Sequence, residues 1–73
     1  MSVFSERLKE SRSKKGSLQK NVAELLNISD RQYRSYEAGE VDPPLSKVIA
    51  LANYFDVSID YLVGRTDNPE VNR

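Results

Sequence analysis

An all-α domain of five short helices is the fold this sequence predicts, and three observations predict it. Apolar residues recur at three- and four-residue intervals, most clearly at Leu45, Val48, Ile49, Ala52 and Phe55, and no strand-like stretch is visible. Turn-forming and capping residues interrupt these stripes at Gly16, Asn27 to Ser29, Gly39, Pro43–Pro44, Ser58 and Gly64. The chain has 73 residues and no cysteine, so one small core has to be assembled without disulfides.

Each helix has its own justification. Phe4 and Leu8 lie one helical step apart within FSERLKESRSKK, which predicts a first helix capped by Ser2 and ended by Gly16. Lys14 and Lys15 suit the negative end of its dipole. Its apolar stripe is thin, so it must pack on something. Leu18, Val22, Leu25 and Leu26 give a second helix, ended by Asn27, a residue that tolerates the left-handed backbone of a tight turn. Ser29 opens a third, where Ser29-Asp30-Arg31-Gln32 has the S-x-x-Q form of a capping box. Tyr33 and Tyr36 face inward there, and Gly39 closes the helix. The prolines at 43 and 44 make a stiff link into the fourth helix, which has the strongest stripe. Ser58 caps a short fifth helix, SIDYLVG, stopped by Gly64. Residues 1–66 are therefore expected to form the domain, with 67–73 a polar, frayed tail.

Composition narrows the function. Without histidine the commonest general base and metal ligand is missing, and without cysteine there is no thiolate site. No glycine-rich phosphate loop and no carboxylate pair beside a base is evident, so neither catalysis nor a cofactor nor a metal site is expected. No small-molecule ligand is suggested either. No apolar run approaches the ~18 residues of a membrane span and no signal peptide opens the chain, so a soluble cytoplasmic protein is expected. The formal net charge is zero, yet residues 1–36 hold eight Lys or Arg against four Asp or Glu, and residues 37–73 hold three against seven. Such asymmetry hints at a polyanion partner, although two solvated faces that happen to balance give the same count.

The break at Asn27, together with the core pattern around it, favours the polyanion partner. A helix that reads the major groove needs a second helix crossing behind it at a fixed angle, joined by a turn of about three or four residues. Ala23 allows close approach, and Val22, Leu26, Ile28, Tyr33 and Tyr36 supply the shared core. At roughly 100° per residue, Arg31, Arg34 and Ser35 oppose the two tyrosines, and Asp30 and Gln32 flank that face. Arginine can bond a guanine edge bidentately and glutamine an adenine edge. Aspartate accepts from cytosine, and serine suits base edges or phosphate. Gln32 has two outlets, since it can reach back to Ser29 as the capping partner or outward. Asp30 equally suits a first helical turn on dipole grounds.

At this point the sequence resembles the Cro/cI-type helix-turn-helix family, also called XRE, over about Phe4 to Asp67. The resemblance lies in Gln19, Ala23, Ile28, Ser29, Tyr33, Tyr36-Glu37 and Gly39-Glu40, with Pro43 and the ending LANYFDVSIDYLVGRTD. It implies a compact five-helix lambda-repressor-like domain that binds double-stranded DNA, usually as a homodimer on a palindromic operator. It further implies that Gln19 touches a phosphate or supports a reader, and that Ser29 to Ser35 form the reading surface. Lys14, Lys15 and Lys20 join as phosphate candidates from charge and placement alone, where simple solubility serves as well. Three departures stand out. Ser17-Leu18 reverses the family's usual order, so the second helix's cap is missing or moved. Asn27 replaces the commoner glycine, and Glu40 and Asp42 fall where relatives are often basic.

The function implied is a sequence-specific transcriptional regulator, a repressor of phage or mobile-element type. The alternative from another class is an antitoxin or adaptor acting through protein contacts, with Tyr54, Tyr61, Val63 and the acidic second half as its surface.

Overall fold

The computed structural model describes residues 2–71, which form α1 (Val3–Lys15), α2 (Gln19–Leu26), α3 (Asp30–Glu37), α4 (Leu45–Phe55) and α5 (Ile59–Leu62). The described residues contain no strand, and none of their helices is long and apolar enough to cross a membrane. α2 packs most extensively on α3, α1 lies against α3, α4 and α5, and α4 meets α5. Leu8, Val22, Tyr33, Leu51 and Leu62, one from each helix, are fully buried where the five meet.

The ends of the helices follow from local chemistry. The Ser5 N–H donates to Ser2 Oγ and the Ser2 N–H to Ser5 Oγ, both at 3.1 Å, a reciprocal box that also satisfies the buried Ser5 hydroxyl. At Gly16 (φ 74°) and Asn27 (φ 57°) the chain enters the left-handed region. The N–H of Ser17 then returns to Arg12 O at 3.2 Å, and that of Ile28 to Ala23 O at 3.0 Å. Asp56 (φ 54°) repeats this exit after α4, although no glycine or asparagine marks it. Ser29 Oγ and Ser58 Oγ each accept the N–H three residues on.

Two of the apolar stripes are narrower than the spacing suggests. Leu18 is 57% exposed and Leu25 48%, while Val22, Ala23 and Leu26 carry the buried face of α2. Leu18 precedes the helix in an extended conformation, so helical geometry does not apply to it. Leu25 points roughly 100° away from the mean direction of those three. Ile49 is 40% exposed for the same reason, and Leu45, in the first turn of α4, is exposed too.

The polar stretch after Gly64 is tied down instead of frayed as far as Pro69. Arg7 Nη1 donates to Tyr61 O at 2.6 Å and to Thr66 O, and Nη2 pairs with Asp67 at 2.7 Å. The Ser58 N–H reaches Pro69 O at 3.0 Å. Residues 72 and 73 of the expected tail lie outside the described ones. Gly64 (φ 88°) makes this turn while a Cβ there would sit 2.9 Å from Val3 Cγ1. Gly64→Ala is expected to cost about 1–2 kcal/mol from the left-handed backbone alone. A urea denaturation midpoint equal to wild type would contradict this.

Candidate nucleic-acid interface

The turn between α2 and α3 has the tightness a supported reading helix needs. Only Asn27, Ile28 and Ser29 separate the two helices. Ala23, fully buried, lets them approach, and Tyr33 and Tyr36 fill the angle with ring centroids 6.4 Å apart in an edge-to-face pair. Lys47 Nζ donates to Leu26 O at 3.2 Å, placing a cation at the negative end of α2.

Behind α3 lies a polar assembly that the sequence pattern did not reveal. Glu37 is buried, and its carboxylate accepts from Arg12 Nε at 2.6 Å and Nη2 at 3.2 Å, the Tyr33 hydroxyl at 2.5 Å and Gln19 Nε2 at 3.2 Å. Arg12 Nη1 also donates to Ser17 O at 3.0 Å. α1, the start of α2 and the end of α3 are thus pinned through one carboxylate. Burial alone would push Glu37 up, but the donors from Arg12, Tyr33 and Gln19 outweigh it and hold the carboxyl below its ordinary range. The hydrogen bond from Arg12 to Glu37 pushes the guanidinium up. Burial, followed by donation to Glu37, raises Tyr33. Glu37 stands only about 40° from Tyr33 on the helical wheel, which was the available signal. Arg7, Asp67 and the buried Ser11 were missed as well.

Arg31, Arg34 and Ser35 lie on the side of α3 away from Tyr33 and Tyr36, with Asp30 and Gln32 at its flanks. Asp30, Arg31, Gln32 and Arg34 are exposed and Ser35 is half-buried. Arg31 and Arg34 pair with no other described residue, so their full donor sets face solvent. Ser35 Oγ donates to Gln32 O at 2.6 Å, which spends its proton within the helix and leaves it an acceptor. Ser29 caps α3 through the Gln32 N–H at 3.1 Å. The Gln32 side chain does not reach back to Ser29: Nε2 donates to the Tyr36 hydroxyl at 3.2 Å, so only half of the capping box forms.

The phosphate candidates divide. Gln19 and the exposed Lys20 occupy the first turn of α2, where Leu18 provides no side-chain cap and the first amides have no side-chain acceptor. Ser17, the residue that could have moved into that role, shares a hydrogen bond of 2.8 Å with the Tyr54 hydroxyl. Gln19 is held by Glu37, as a supporting residue would be. Lys14 and Lys15 border a groove of about 570 Å³ with Phe55 and Tyr61. There Lys14 pairs with Glu10 at 3.0 Å, and Lys15 lies 4.7 Å over the Tyr54 ring.

Two short helices locked at a three-residue turn, with an arginine face turned outward, define a helix-turn-helix module. The chain belongs to the helix-turn-helix family, whose model matches residues 8–62, and within it to the Cro/cI (XRE) type. It is 37% identical over 68 residues to the uncharacterized HTH-type transcriptional regulator YobD of Bacillus subtilis, covering 93% of this chain and 61% of that protein. It is 35% identical over 60 residues to the cryptic phage CTXphi transcriptional repressor RstR of Vibrio cholerae, covering 82% and 54%. A crystal structure of a transcriptional regulator from Listeria innocua superimposes with a TM-score of 0.79 at 38% identity, covering 96% of this chain and 61% of that one. The chain therefore spans little more than half the length of these relatives.

Proposed function

We propose that this chain is the DNA-binding domain of a transcriptional regulator, a repressor of phage or mobile-element type that reads a palindromic operator as a homodimer. The observation that carries this reading is the pair of exposed arginines, Arg31 and Arg34, which pair with no other described residue on the outer side of a helix anchored from behind. In the groove, Arg31 is the principal base reader, with Asp30, Gln32, Arg34 and Ser35 around it. Ser29, Gln19 and Lys20 lie toward the backbone, where the uncapped first turn of α2 presents N–H groups and a positive dipole end to a phosphate. Two such domains would set their α3 helices about one DNA turn, ~34 Å, apart and occlude a promoter. Such a partner fits a cytoplasmic protein, with residues 1–66 as the functional unit and 67–73 as a polar C-terminal tail.

Selection from a randomised duplex pool at low and moderate salt tests the reading directly. Enrichment of one palindromic motif is the expected result. A pool left unenriched, with a protein partner captured instead, would favour the adaptor class. That class has a weakened surface, since Tyr61 is buried beneath Arg7 and Tyr54 is half-buried against Ser17 and Lys15. Lys20→Ala should weaken binding to all duplexes alike and reduce the slope of log K against log salt by about 0.9. Weakening confined to one base pair would remove Lys20 from the backbone contacts.

A further inference from the structure

We infer that the Tyr36 hydroxyl positions the Gln32 amide so that α3 recognises an adenine at one operator position, an inference that rests on α3 being the groove helix. Gln32 Nε2 donates to that hydroxyl at 3.2 Å across one helical turn, the i to i+4 spacing at which side chains on a helix meet. Tyr36 is only 1% exposed and packs edge-to-face against Tyr33, so its phenol is fixed relative to the helix axis. The backbone of Gln32 is equally constrained. Its N–H bonds Ser29 Oγ at 3.1 Å, and its carbonyl accepts from Ser35 Oγ at 2.6 Å. An exposed glutamine ordinarily samples many rotamers and loses that freedom on binding, whereas one tethered at its far end has already lost much of it.

The tether also selects what remains for recognition. A primary amide has two N–H donors and a carbonyl acceptor. Tyr36 takes one donor. With the N–H trans to the carbonyl given to Tyr36, the other N–H and Oε1 would stay side by side, the fork that matches the N7 acceptor and N6 donor of adenine in the major groove. A complete capping box would have spent Oε1 on the Ser29 N–H and left no such pair. Tyr36 is thus a positioning residue, acting on the DNA only through Gln32.

The test uses the full chain and three variants, Tyr36→Phe, Gln32→Ala and the double substitution, each carried through duplex selection and then measured on duplexes varied one base at a time. Wild type should prefer adenine at one position, and Tyr36→Phe should reduce that preference about three- to tenfold, the range for one lost hydrogen bond. Gln32→Ala should abolish it, and adding Tyr36→Phe should change nothing further at that position. An undiminished preference in Tyr36→Phe, or an equal effect of Tyr36→Phe with and without Gln32, would overturn the inference. The free protein gives a second readout. The Gln32 Nε2 protons, inequivalent in any glutamine because rotation about the amide C–N bond is slow, should resonate away from random-coil NMR shifts in wild type and return toward them in Tyr36→Phe, and random-coil shifts already in wild type would also overturn it. If wild type enriches no motif at all, the groove reading fails, while the amide resonances still report on the tether by itself.

Discussion

Glu37→Gln is expected to destabilise the domain by about 3 kcal/mol, a value typical of removing one partner from a buried ion pair. The side chains of Arg12 and Glu37 are 16% and 4% exposed, so neither charge can recover its hydration when the other is removed. Glutamine keeps the shape but brings an NH2 group against donors from Arg12, Tyr33 and Gln19, of which one oxygen can satisfy only some. For a domain of this size the loss is a large fraction of the total stability and should lower Tm by about 12–24 °C. The pH dependence has a definite sign. Because the carboxyl of Glu37 is held below its ordinary range in the fold, its contribution is complete above the unfolded value of about 4.3 and lost as pH falls through the folded one. Wild type should therefore lose stability steeply below about pH 4, and Glu37→Gln should show a flatter acid limb. Urea denaturation at pH 7 and pH 3.5 measures both effects, and a variant as stable as wild type at pH 7 would refute the pinning role.

That assembly marks where the sequence stopped being legible. Helix positions and the turn could be read because their causes are local: Asn27 takes a left-handed backbone, Ser29 caps, and Tyr33 and Tyr36 recur at helical spacing. α4 was bounded at both ends, by Pro44 and by the end of its stripe at Phe55. Glu37 was not legible as a buried group because its neutralising partner lies 25 residues earlier on another helix. Arg7 and Asp67, 60 residues apart, present the same difficulty. Leu25 and Ile49 went wrong in the other direction. Spacing identifies a stripe but not its centre, and residues at its edge look identical to those in its middle until a neighbouring helix covers one side. Gln32 shows a third kind of limit. Its motif permitted two bonds, and a buried tyrosine one turn later offered another that no capping rule contains.

Arg31→Ala is expected to cost about 1–3 kcal/mol of operator affinity per half-site and to relax preference at one base pair. Arg31 stands in the first turn of α3, the end of a reading helix that goes deepest toward base edges, and it pairs with no other described residue. Nothing in the fold depends on that side chain, so its removal should leave Tm unchanged while altering recognition. The surrounding charge makes the effect large relative to total affinity. Glu40 and Asp42 are exposed in the link after α3, where they would repel phosphates and reduce sequence-independent binding. A larger share of the free energy then comes from base contacts than in a strongly basic domain, and the salt slope should be shallow. Anisotropy titrations of the selected duplex and its single-base substitutions separate these contributions. Equal weakening on every duplex would make Arg31 a backbone contact, and undiminished affinity with the motif intact would remove α3 from the groove.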